Sequence, residues 1–238
     1  MCPFFYICSP KKNEMKTGLI QFLSEFVTPE RLALFHKILA LRTNYITVVL
    51  EDIYQSQNAS AVLRTADCFG IQTVHVIEDK HLFHVNPNVV RGASNWLTIN
   101  RYNQSENNTL EAIRKLKSEG YRIIAANPHE HDVNLEDFDL EKGKAAFIFG
   151  TERPGLTDWA KTEADEFMKI PMVGFTESLN VSVSVAITLH HLTYKLRNSS
   201  INWHLSDQEK QNLMLEWLRL TIRRVDLLEK KYQEELIG

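Results

Sequence analysis

Residues 45–77 read YITVVLEDIYQSQNASAVLRTADCFGIQTVHVI, and this stretch decides the fold. It opens on YITVVL, a β-branched run too short and too uniformly apolar for a surface helix. A helical stretch from about Ala59 to Phe69 follows, Gly70 ends it, and TVHVI returns to strand character. Strand, helix and strand in so short a span predict a βαβ unit and a parallel sheet.

The alternation continues downstream. WLTIN (96–100) reads as a strand, TLEAIRKLKSEG (109–120) as a helix closed by Gly120, and YRIIAA (121–126) and KAAFIFG (144–150) as buried strands. The segment SLNVSVSVAITLHHLTYKLR (178–197) begins with the two-residue period of a strand. It is too long for one, so it is read as a helix that Ser178 or Asn180 caps. Upstream, residues 17–41 read as helical, with Thr28 before Pro29 marking a helix start. From Asp207 a last helix carries Leu213, Trp217, Leu220 and Leu227 as its apolar seam, with Arg219, Arg223 and Lys230 on one face. The division expected is a helical arm over 1–43, with 1–14 unassigned, an α/β domain over 44–198, and a helical extension over 199–238.

The 238 residues hold 27 basic and 30 acidic side chains, 24% charged and 44% apolar overall, which describes a soluble globular unit. A net charge of −3 argues against a protein that coats nucleic acid nonspecifically, although it leaves room for a local basic face from Arg31, Lys37, Arg42, Arg91 and Arg101. No run approaches the length of a membrane span, and CPFFYICS near the N-terminus is too short for a signal peptide. Cys2, Cys8 and Cys68 form neither a disulfide framework nor a metal pattern, which suits a reducing cytoplasm. His81 with His84 and His129 with His131 lack the partners of a metal site, so none is expected.

Three loops carry chemistry. QSQNASAVLR follows a buried strand, where α/β proteins place their sites; there Asn58 is a helix N-cap or a ligand contact, and Arg64 a surface charge or an anion anchor. FIFGTERPGLT superficially matches a phosphate-binding loop, but Leu156 stands at the lysine position and Glu152 brings a negative charge, so that reading fails. What remains is Gly150, which lets a ligand approach the backbone at a strand end. In KIPMVGFTESLN, Pro171 and Gly174 shape a turn before the long helix.

Taken jointly and in order, NASAVLRTADCFGI, FIFGTERPGL and IPMVGFTESLNVSVSVAI resemble the three motifs of the SpoU family of RNA 2′-O-methyltransferases, the TrmH type of the SPOUT superfamily. The similarity spans roughly Asn44 to Arg197, and TPERLALFHKIL extends it toward members that act on guanosine-18 of tRNA. The resemblance implies a parallel sheet with helices on both faces and a deep C-terminal trefoil knot, a rare exception to the rules of chain connection. It implies a homodimer joined along the helix after the third motif, giving Ser182, Ser184 and Ala186 a role in close packing. It implies S-adenosylmethionine as cofactor, held by Ala126, Gly150, Ile170, Met172 and Leu179. Arg64 falls on the family's catalytic arginine, with Asn58, Glu152, Ser178 and Asn180 completing the polar site. The substrate implied is tRNA at guanosine-18, in the cytoplasm. The alternatives are ribosomal RNA, another tRNA position, or an RNA-binding protein without turnover.

Overall fold

In the computed structural model, which describes residues 10–126, 132–151 and 154–237, the chain begins with helices α1 (Pro10–Ser24) and α2 (Pro29–Leu39). Strand β1 (Ile46–Glu51), α3 (Ser56–Cys68), β2 (Thr73–Ile77), α4 (Pro87–Val90) and β3 (Thr98–Tyr102) follow. Next come α5 (Asn108–Ser118), β4 (Arg122–Ala126), β5 (Val133–Asn134), β6 (Ala145–Phe149), α6 (Asp158–Glu163) and β7 (Glu166–Lys169). Helices α7 (Val181–Arg197), α8 (Asp207–Thr221) and α9 (Val225–Ile237) complete it. Contacts divide the chain into one unit over Arg42–His204 and a second made of the segments up to Leu41 and from Leu205.

The larger unit is built on a seven-stranded sheet in the order β3-β2-β1-β6-β4-β7-β5, parallel throughout. The central strands are apolar at nearly every position because both faces are covered. In β1, Val48 and Leu50 join the core that holds α3 and α7, while Val49 points to the opposite core with Ala112, Ile113 and Leu116 of α5. In β6, Phe147 and Phe149 take the first side and Ala146 and Ile148 the second. The one-residue alternation along a strand thus serves two cores at once.

Helix α5 ends as its sequence requires: Gly120 takes φ +84°, and Tyr121 N–H donates to the Leu116 carbonyl at 3.0 Å. Helix α3 starts three residues before the expected Ala59, with Gln55 at its N-cap making no side-chain capping bond. Asn58 therefore lies inside the first turn and is not the cap.

In the smaller unit Thr28 caps α2 as its sequence indicates, accepting a hydrogen bond from Arg31 N–H at 3.2 Å. Phe35 packs against Trp217 with ring centroids 5.5 Å apart. The single C-terminal helix expected from Asp207 is two: Arg224 adopts φ +52° and breaks it between Thr221 and Val225. The break disrupts the seam, burying Leu213 and Trp217 while leaving Leu220 and Leu227 exposed. It also ends the supposed basic face, since Arg219 pairs with Glu229 at 2.6 Å across the break. Arg42 is likewise no surface cation: it is 2% exposed, pairs with Asp67 and donates to the Ile71 carbonyl.

Inside the sheet, His75 Nδ1 lies 2.9 Å from the Tyr102 hydroxyl, and the rings stack. Burial, with a smaller push from Lys115, lowers the His75 pKa from an ordinary 6.5 to about 4. The unfolded chain thus takes up a proton on this imidazole near pH 6.5 while the folded one does not until near pH 4. The stabilisation from neutral His75 is whole above pH 6.5 and drains away as pH falls toward 4. Urea titrations at pH 6.5 and 5 are expected to differ by up to about 2 kcal/mol from this group, and His75→Asn should remove that share of the slope.

Candidate active site

A cavity of about 250 Å³ opens where β4, β6 and β7 end, the carboxyl edge at which parallel sheets bind ligands. Ala126, Gly150, Ile170, Met172 and Leu179 all line it, joined by Ser178. Five positions widely separated in sequence thus share one chamber. Phe149, Leu156, Met168 and Val181 supply further apolar wall. Thr188 of α7 also lines it, and its hydroxyl is buried without a hydrogen-bond partner among the described residues.

Gly150 is required for a reason other than ligand approach. A Cβ there would lie 2.5 Å from the carbonyl carbon and oxygen of Gly155 and 2.6 Å from Leu156 N. The loop after β6 turns back on its own start, so backbone fills the space a side chain would need. Leu156, at the position a phosphate-binding lysine would take, is buried in the core beside α5 and α6.

Glu51 at the end of β1 fixes the far end of that loop. It is 1% exposed, and its carboxylate accepts from Thr157 N–H at 2.9 Å, Thr157 Oγ1 at 2.7 Å and Thr109 Oγ1 at 2.7 Å. Thr157 in turn caps α6 by accepting from Ala160 N–H at 3.2 Å. One buried acid therefore ties β1, α5 and α6 together beneath the cavity wall.

On the rim, Asn180 caps α7, its Oδ1 accepting from Ser182 N–H at 2.9 Å and Ser182 Oγ at 2.6 Å. Its Nδ2 donates to Asn58 Oδ1 at 3.1 Å, and Asn58 Nδ2 donates to Gln55 Oε1 at 2.6 Å. The first and third sequence motifs meet through this asparagine pair. Arg64 is not brought into the cavity: it lies exposed on α3 and has no hydrogen bond or ion pair among the described residues. Glu152, expected in the polar site, falls outside the described residues. Of the small residues assigned to helix packing, Ser184 also lines the cavity.

Sequence reading missed Glu51, Thr157 and Thr188. The signal for Glu51 was present, as an acid closing an otherwise apolar strand. Thr188 had none, because a threonine within a long helix looks the same in a core or a cavity. Among the described residues no group of three or more histidines, cysteines or acids is placed to hold a metal, and no helix is long and apolar enough to cross a membrane. His129 and His131 lie outside those residues, and Cys68 is a free, exposed thiol.

Residues 45–190 match the model of the SpoU rRNA Methylase family, and the chain belongs to that family. It is 45% identical over 210 residues to a tRNA (guanosine(18)-2′-O)-methyltransferase of Borreliella burgdorferi, covering 88% of this chain and 94% of that one. Among solved structures, the Aquifex aeolicus TrmH/SpoU tRNA modifying enzyme superposes with a TM-score of 0.72 at 23% identity, over 82% of this chain and 98% of that one. An AdoMet-bound rRNA methyltransferase from Sinorhizobium meliloti gives 0.56 at 23% identity, over 66% and 58%. These likenesses agree with the parallel α/β fold.

The Glu51 network carries its own test. Glu51→Ala leaves the Thr157 N–H and hydroxyl without their acceptor, while the Thr109 hydroxyl keeps Asp79 at 3.0 Å, and should cost about 2–3 kcal/mol in urea denaturation. Glu51→Gln, which keeps an acceptor oxygen, should cost less.

Proposed function

We propose that the chain transfers a methyl group from S-adenosylmethionine to the ribose 2′-hydroxyl of guanosine-18 in tRNA. The observation that carries this reading is the gathering of Ala126, Gly150, Ile170, Met172 and Leu179 around one cavity, with Ser178 and the Asn58–Asn180 pair at its edge. The extent of identity to the Borreliella enzyme supports the tRNA target. A tRNA substrate would place the protein in the cytoplasm.

The cavity suits the cofactor's chemistry. Its apolar wall fits a purine, and the Thr188 hydroxyl, without a partner among the described residues, fits a polar atom on the ligand. When bound, the cofactor supplies a methyl already activated on a sulfonium. What the protein adds is alignment of the hydroxyl and electrostatic support for charge that develops on it. Arg64 serves as a planar donor to phosphate and nascent alkoxide, not as a base. Its exposed side chain, without a hydrogen bond or ion pair among the described residues, supports that role. Asn58, Asn180 and Ser178 orient the ribose; Glu152 is assigned with them from sequence alone.

The reading includes a homodimer on α7. Val183, Ile187 and Tyr194 stand exposed along one side of that helix, and Val173 and Phe175 are fully exposed in the loop before it. It also includes a trefoil knot in which the loops after β6 and β7 interlock. The placement of β6 between β1 and β4, with β7 beyond β4, supports it.

Two measurements test this. Labelled S-adenosylmethionine with unmodified tRNA should place label at guanosine-18; label appearing only in ribosomal RNA would move the substrate, and label in neither would remove the activity. Arg64→Ala and Arg64→Lys should both lose most turnover, since a point charge does not replace a planar fork. Separately, Thr188→Val should weaken cofactor binding by roughly three- to tenfold in calorimetry without lowering thermal stability, because the hydroxyl it removes has no partner among the described residues.

A further inference from the structure

Beside the cavity lies a second, shallow depression lined by Ile53, Tyr54, Gln55, Asn58, Thr151 and Val181. Thr151 and Val181 also line the main cavity, so the two are continuous. At its edge Tyr54 is 53% exposed, with the exposed His81 ring 5.3 Å away, centroid to centroid. Lys80 and Leu82 flank His81 on the surface.

The pair is held in place at considerable cost in backbone conformation. Asp52 adopts φ +54°, a left-handed state unusual for a residue other than glycine. Its nearly buried Oδ1 accepts from the N–H groups of Asp79, Lys80 and His81 at 2.8, 2.8 and 3.3 Å. That fixes the turn carrying His81 against the end of β1, next to Tyr54. From the other side, Gln55 Nε2 donates to the Tyr54 hydroxyl at 3.4 Å, and Gln55 leads through Asn58 to Asn180 on the cavity rim. The position of the Tyr54 ring is thus referenced to the same asparagine pair that borders the reaction site.

We propose that Tyr54 and His81 form a stacking subsite for a nucleobase of the RNA at or next to the methylated nucleotide, with Lys80 beside it to meet the backbone phosphate. This rests on the RNA methyl-transfer reading and adds to it where the base goes. A ribose presented to the cavity carries its base with it, and that base needs a surface once it leaves its own stack. Exposed aromatic rings interleaved with a cation provide one.

The test is a cycle between side chain and base. Methyl transfer is measured on intact tRNA and on three synthetic tRNAs, abasic at the target nucleotide or at either neighbour, with wild-type protein and Tyr54→Ala. On intact tRNA, Tyr54→Ala should lower kcat/KM roughly 5- to 100-fold, with His81→Ala lowering it less and cofactor affinity unchanged in both. Tyr54→Phe should recover most of the loss. One abasic tRNA should show a comparable loss with wild-type protein and little further loss with Tyr54→Ala. If Tyr54→Ala stays within about twofold of wild type on intact tRNA, or loses rate equally on all four RNAs, the subsite is overturned while RNA methylation stands. If wild-type protein methylates no RNA, the underlying reading falls and the subsite with it.

Discussion

At Gly150 two stretches of backbone meet with no room for a side chain between them. The arrangement of the site depends on that crossing. Because the loop after β6 folds back at Gly155, it forms a wall over the carboxyl end of the sheet instead of leaving along the surface. Residues from β4, β6, β7 and the start of α7 can then face a common space. The constraint is steric, and so it is absolute in a way that a hydrogen bond is not. Even alanine would force the main chain apart by tenths of an ångström or more, and with it the cavity.

A wall made of loop needs anchoring, because loops are the low-stability parts of a fold. Two devices supply it, at opposite ends. Glu51 holds the exit of the loop through Thr157, which also starts α6, so that displacing the loop would uncap a helix and strand a buried carboxylate. Asn180 does the equivalent for the last segment, capping α7 with one side-chain atom and holding Asn58 with another. Both anchors use a single side chain to satisfy helix-end donors and a distant partner together. The polar groups at the rim are therefore structural and available to a substrate at the same time.

Much of the fold was legible in sequence because parallel strands covered on both faces leave a plain trace: YITVVL, TVHVI and KAAFIFG are apolar at every position or nearly so. The helix over Val181–Arg197 was legible by length in spite of its alternating start. Strand order was not legible, since which apolar run lies beside which is decided by packing partners far away in the chain. The start of α3 was missed because Gln55 caps it with backbone alone, leaving no side-chain signal, and Asn58 was the better-looking cap. The break at Arg224 was missed because arginine is a good helix former; nothing local announces its left-handed conformation. The cavity-lining residues were legible through motif resemblance, whereas Thr188, outside any such motif role, is marked only by a buried hydroxyl with no partner among the described residues.

Arginine placement separates structural from functional charge in this chain. Arg42 is spent on Asp67 and the Ile71 carbonyl, Arg101 on Glu78, Arg122 on Glu166, and Arg219 on Glu229. Each of these guanidiniums already has a carboxylate, and a phosphate would have to compete with it. That competition reduces the number of guanidiniums free to meet a phosphate below what the 27 basic residues suggest. Arg64 is exposed on a helix whose other face is packed into the core, with no such engagement among the described residues. Its helix carries no acid in its first turn and only Asp67 near its end, which Arg42 occupies.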